Sequence, residues 1–194
     1  MIPPVLFHVS EESGIRRFEP RPTERFPFPV VWAIDAAHRR NYLLPRDCPR
    51  VTYYRTPTST SADVARFLAD ETAVVAIERR WLQRVRATSL YCYRMPSDTF
   101  LCLDPGAGYF VSREAVVPIG VETVGDALRA IADSGAHLRV LEDLWPLHDA
   151  VARSSLEFSM IRMRNAKPRI GFDEPPHNAI REFPRKRVDE DDAT

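Results

Sequence analysis

The chain has no net charge, because 27 Lys and Arg residues balance 27 Asp and Glu residues over 194 positions. That balance excludes a protein whose whole surface traps nucleic acid or anionic lipid, and leaves room only for a local patch. Lysine is nearly missing: Lys167 and Lys186 are the only two, so the cations are arginines, suited to bidentate contacts with phosphate and carboxylate. Cysteine is scarce too. Cys48, Cys92 and Cys102 are odd in number and lack C-x-x-C spacing, which argues against a disulfide framework and a zinc site. Cys92 and Cys102 read instead as small core residues in strand-like runs. His38, His137, His148 and His177 lack both i, i+4 spacing and companion cysteines, so no metal is expected. No segment approaches ~20 uninterrupted apolar residues, and the start lacks the basic-then-apolar layout of a signal peptide. The expectation is a cytoplasmic protein without a membrane partner. Gly-x-Gly-x-x-Gly and Walker-type loops are absent, as is a G-x-S-x-G elbow, which argues against Rossmann, P-loop and serine-hydrolase chemistry.

What remains is enough to build a core. The chain is 44% hydrophobic, and its length suits one domain with an appendage, expected at residues 1–166 with a mobile or loosely docked, proline-bearing and acidic tail at 167–194. Apolar strand-like runs occur at residues 5–10, 30–35, 50–55, 74–78, 89–95, 99–103 and 109–112, with further extended segments at 116–124 and 138–141. Pro96, Ser97 and Asp98 read as the turn between two of them. Thr60 and Asp63 form a T-x-x-D capping signature for a helix through Ala69. Asp35 is placed to cap a short helix that stops before Pro45. A further helix spans 125–133 with Gly135 as its stop, and a long one runs from Asp143 to about Asn165 on a stripe of Leu144, Leu147, Val151, Phe158 and Ile161. Short strands interleaved irregularly with helices indicate an α+β fold: two small twisted antiparallel sheets forming a split β-core, flanking helices and a long C-terminal helix.

The opening run, Val5-Leu6-Phe7-His8-Val9-Ser10, places a histidine and a serine on one face of a buried strand, since residues i and i+2 point the same way. A histidine held there serves equally as a ligand reader or as a satisfied core residue. Trp32 and Trp81 read first as packing residues. Arg79, Arg80, Arg84 and Arg86 around Trp81 fit either a phosphate footprint or a solvated helical face.

The order of several blocks resembles the ADP-ribosyltransferase superfamily. Leu6-Phe7-His8-Val9-Ser10 is similar to its first strand. Ile15, Phe18 and Pro20 match its "I..F.P" segment. Val31-Trp32-Ala33-Ile34-Asp35 with Tyr42 is similar to its second strand and helix, and residues 108–114 to its third motif strand. The resemblance covers residues 5–120. It implies a dinucleotide cleft, with NAD as substrate and cofactor, and transfer of ADP-ribose to an unknown acceptor with release of nicotinamide. It assigns His8 to a ribose hydroxyl, Ser10 to positioning the nicotinamide side, Trp32 or Tyr42 to the nicotinamide ring and Arg21 to the pyrophosphate. Glu114 is the candidate catalytic carboxylate. Many members carry that acid near positions 107 and 108, where this chain has Ala107 and Gly108. The alternative is a non-enzymatic or phosphotransferase-like module that binds a nucleotide or nucleic acid through arginines around the same cleft. The whole sequence also resembles an uncharacterised bacterial family.

Overall fold

The computed structural model describes residues 5–169. Its first sheet is organised around β1 (Leu6–Ser10), whose β-branched and apolar residues favour extended backbone. The other strands are β2 (Arg21–Thr23), β3 (Phe26–Asp35), β6 (Leu90–Met95), β7 (Leu101–Asp104), β8 (Tyr109–Ser112) and β9 (Gly120–Val124). They lie in the order β7-β8-β3-β1-β6-β9, with β2 on β3, and every ladder is antiparallel. The second sheet, in the order β10-β5-β4-β11, contains β4 (Arg50–Tyr54), β5 (Ala73–Glu78), β10 (Ala136–Leu141) and β11 (Glu157–Ile161). The chain is thus α+β with two separate sheets.

The two sheets are not a pair of small antiparallel layers. The first has seven strands, and in the second β10 runs parallel to β5. A parallel neighbour requires a crossover, which residues 79–135 supply by passing through the first sheet and back. Every residue of β4 and β5 is buried, as expected for strands covered on both faces.

The helices are short. Thr60 caps α1 (Ser61–Asp63) by accepting the Asp63 N–H, and the helix continues as a π turn at Val64–Leu68 that buries Phe67 and Leu68. α2 (Leu82–Ala87) follows, and Asp126 caps α3 (Ala127–Asp133) by accepting from Leu128 and Arg129. Gly135, at φ +75°, ends the latter helix. α4 (Trp145–Ala152) replaces the expected long helix. Ser154 Oγ donates to the Val151 carbonyl and accepts the Leu156 N–H, while Ser155 bonds Asp63 through both its N–H and its hydroxyl. These side-chain bonds compete with the helical ladder, and the chain turns back to pair β11 with β4.

Two further expectations change. Pro96-Ser97-Asp98 does turn, with the Phe100 N–H on the Ser97 carbonyl, but it joins β6 to β7 on the far side of the sheet rather than closing a hairpin. Cys102 is exposed because β7 is an edge strand, whereas Cys48 and Cys92 are buried. The expected tail falls mostly outside the described residues. At its beginning, the Lys167 N–H donates to the buried Glu78 carboxylate, and the Lys167 carbonyl accepts from the Trp145 indole. Arg169 pairs with Asp149. No helix among the described residues is long and apolar enough to cross a membrane.

Candidate functional site

β1 pairs with β6 along its whole length but with β3 only at Leu6 and Phe7. The β1–β3 ladder therefore parts at His8. In place of a further backbone bond, the His8 ring donates from Nδ1 to the Trp32 carbonyl at 2.8 Å. That bond fixes the tautomer and leaves Nε2 for another partner. The ring packs 4.7 Å from Phe18, which meets Tyr93 edge-on at 5.2 Å. Tyr93 secures the covering loop, since its hydroxyl donates to the Glu12 carbonyl and accepts the Ile15 N–H. Burial pushes the His8 pKa below its usual value; the Trp32 carbonyl opposes the shift, and the charges of Arg21 and Arg46 add to it. Neither guanidinium has a carboxylate partner among the described residues. A neutral, oriented imidazole with two cations nearby is an arrangement that an anionic ligand complements.

The other residues singled out in the sequence are only partly gathered there. Ser10 lies on the same strand face as His8, by alternation, and its hydroxyl accepts the Glu12 N–H. Arg21, on β2, reaches His8 electrostatically. Trp32 and Tyr42 do not join them. Leu6, Val31, Ala33 and Tyr93 pack with Phe18 on one face of the sheet, while Trp32 and Tyr42 pack with Phe7, Ile34 and Tyr109 on the other. His8 and Trp32 thus face opposite ways, as the one-residue phase of the β1–β3 register dictates. Trp32 meets Tyr109 edge-on at 6.1 Å. Burial holds the Tyr42 hydroxyl in its protonated form, and the neighbouring Tyr109 adds to this. Glu114 lies beyond the end of β8 and is exposed; its N–H donates to Ser112 Oγ. Its neighbour Arg113 lies over the Phe28 ring at 4.4 Å rather than pairing with it.

Several arginines have structural tasks. Arg50, fully buried, donates Nε to the Asn41 carbonyl and Nη1 to the carbonyls of Pro45 and Cys48, closing the loop between the sheets. Of the group around Trp81, Arg79 pairs with Glu142, Arg80 with Glu78 and Arg84 with Glu11, which favours the solvated-face reading over a phosphate footprint.

A second polar constellation was not apparent from the sequence. Asp35 Oδ1 accepts both the His38 N–H at 2.8 Å and His38 Nδ1–H at 2.7 Å. Burial opposes ionisation of Asp35, yet the ring and backbone bonds from His38 outweigh it and hold the carboxyl below its usual range. Gly108, at φ +67°, lies directly against the pair: a Cβ there would come within 2.3 Å of His38 Nδ1 and 2.7 Å of Asp35 Oδ1. The position without an acid in the sequence thus abuts an acid supplied by β3. The capping role expected of Asp35 was the available signal, with His38 three residues on. The Gly108 contact is 70 positions away.

Residues 7–166 match the profile of a family described as a family of unknown function, DUF6886. The chain belongs to DUF6886. Comparisons with curated proteins and with solved structures find no match. Two surface hollows in this DUF6886 chain border these constellations, the first through Arg39, next to His38, and the second through Ile15 and Tyr93 of the loop over His8. One, of about 300 Å³, borders Arg39, Glu122 and Arg129. The other, of about 490 Å³, lies beside the edge strand β9, where Val117, Ile119 and Val121 are exposed.

Proposed function

We propose that the protein binds a dinucleotide of the NAD class where β1 and β3 part, and transfers ADP-ribose from it to an acceptor with release of nicotinamide. The observation that carries this reading is the His8 ring, held by the Trp32 carbonyl with Nε2 unused and Arg21 and Arg46 nearby. In this reading Nε2 takes a ribose hydroxyl, Ser10 positions the adjacent sugar, and the guanidiniums hold the pyrophosphate through charge-assisted bonds. Phe18, at 4.7 Å from His8, is the nearest aromatic surface, and Trp32 and Tyr42 support the sheet from behind. Cleavage of the bond to nicotinamide develops positive charge on the ribose, which a carboxylate stabilises; Glu114 is the candidate carried by the sequence.

A second reading, binding without transfer, is favoured by the position of Glu114 beyond β8. The charges acting on His8 come from two arginines and not from that acid. Nicotinamide release separates the two readings. Incubation with NAD is expected to yield free nicotinamide that His8→Ala abolishes. Absence of release, together with a thermal shift saturating in NAD, would leave the binding module. At ~100 times its dissociation constant a ligand adds roughly 2.7 kcal/mol, so a shift of several degrees is expected under either reading.

A further inference from the structure

We propose that Asp35, His38 and Arg40 form an oxyanion site distinct from the His8 corner and fitted to a phosphate group. Asp35 takes the Nδ1 proton of His38, so the imidazole is fixed, and Nε2 has no protein partner among the described residues. Arg40 is a second unsatisfied group. Its guanidinium forms no ion pair among the described residues, its Nε is buried without a hydrogen bond, and its carbon lies 5.0 Å from the centre of the Tyr54 ring. The His38 ring lies 5.4 Å from that same ring. Both groups thus border the Tyr54 ring, whose own hydroxyl donates to the Gly106 carbonyl, and the Asp35 charge acts on Arg40 as well as on His38. The Asp35–His38 pair is braced by backbone. Gly108 has no side chain that could displace the pair, and a Cβ at that position would overlap both partners.

A turn that merely needed an Asp cap would not require a free Nε2 or an arginine with a buried, unpaired nitrogen, which costs free energy unless a ligand completes it. The ligand class follows from the groups on offer. A guanidinium only donates, and an imidazole nitrogen meets either an acceptor or a donor. A phosphate group carries three strong acceptor oxygens directed tetrahedrally, enough to meet the arginine and Nε2 together. A carboxylate offers two oxygens in one plane. His38 side-chain exposure of 11% and that of Asp35, 25%, leave the pair reachable from solvent.

The site is read with imidazole-labelled full-length protein, by following the His38 ring nitrogens as inorganic phosphate or glycerol phosphate is added at constant ionic strength. A saturable change at His38 Nε2 is expected with both phosphates and not with acetate. Tighter binding of the ester marks a phosphorylated metabolite as the source, and equal binding marks free phosphate. Arg40→Gln, at a partly buried position, is expected to weaken binding roughly tenfold or more, in keeping with a hydrogen bond to a charged group. His8→Ala should leave it unchanged, so failure of the dinucleotide reading does not touch this result. No saturable change at His38, an equal response to acetate, full affinity in folded Arg40→Gln, or loss of the response in His8→Ala would each overturn the proposal.

Discussion

The second sheet and the first divide the work of the molecule. Every residue of β4 and β5 is buried, and hydrophobic clusters cover both faces of their sheet. In the first sheet β2 and β9 are largely exposed, β1 abandons β3 after two residue pairs, and the guanidiniums of Arg21 and Arg46 and the rings of His8 and His38 lie around its strands and loops. The difference shows where polar side chains can be kept without internal partners. Among the described residues the doubly covered sheet leaves the small hydroxyls of Thr52 and Ser159 without a partner but bonds the buried Arg50 guanidinium to three carbonyls, whereas a ladder that parts can hold an imidazole by a single bond and leave its far side for a ligand.

Substitutions sharpen that contrast. The largest loss is expected for Ile77→Ala in the middle of β5, where burial is complete: about 2–5 kcal/mol from lost transfer energy and the cavity left behind, measured by urea unfolding. A cost under about 1 kcal/mol would show that the second sheet is not the stabilising layer. Gly108→Ala combines a positive φ with overlap of the Asp35–His38 pair, and about 1–3 kcal/mol is expected, with loss of the His38 Nδ1 hydrogen bond in the ring-nitrogen spectrum. If Gly108→Ala were neutral in both measurements, the pair would not be braced by the glycine.

Acid dependence comes next in size. The fold keeps His8 neutral, so its folded pKa lies below the ordinary 6.5. As pH falls below that value the unfolded chain takes up the proton first, and His8 contributes a loss of stability; above it, this contribution is absent. His8→Gln should therefore lose less stability than the parent protein on acidification from pH 7 to 5, as read from melting temperatures. Parallel curves would place the histidine in an environment no different from water. The smallest effect is expected at Arg129 and Asp133, an exposed i, i+4 pair on α3. Arg129→Ala should change stability by less than about 0.5 kcal/mol.

Much of the second sheet was legible because its signals are local. A continuous apolar run marks β5, Thr60 and Asp63 announce α1, and Gly135 closes α3. The stretch after Ala152 misled, since Phe158 and Ile161 fit a helical stripe while Ser154 and Ser155 divert the chain through bonds to Val151 and to Asp63, the latter 92 residues away. Of the residues singled out in the sequence, Arg21 comes near His8, whereas Trp32 and Tyr42 pack on the opposite face of the sheet. Nearness along a motif does not say which face a strand presents, and the β1–β3 register sends Trp32 to the opposite side. His38 was set aside for lacking metal-ligand spacing. Its partner is instead a carboxylate three residues earlier, and its support comes from a glycine on another strand.

The central claim is that a nucleotide meets the protein where β1 leaves β3. Calorimetric titration of NAD into the parent protein, His8→Ala and Arg21→Ala tests it most directly. Saturable binding weakened at least roughly tenfold by either substitution, about 1.4 kcal/mol or more, is the predicted result. Equal affinity in all three proteins, or no binding to any, would contradict it.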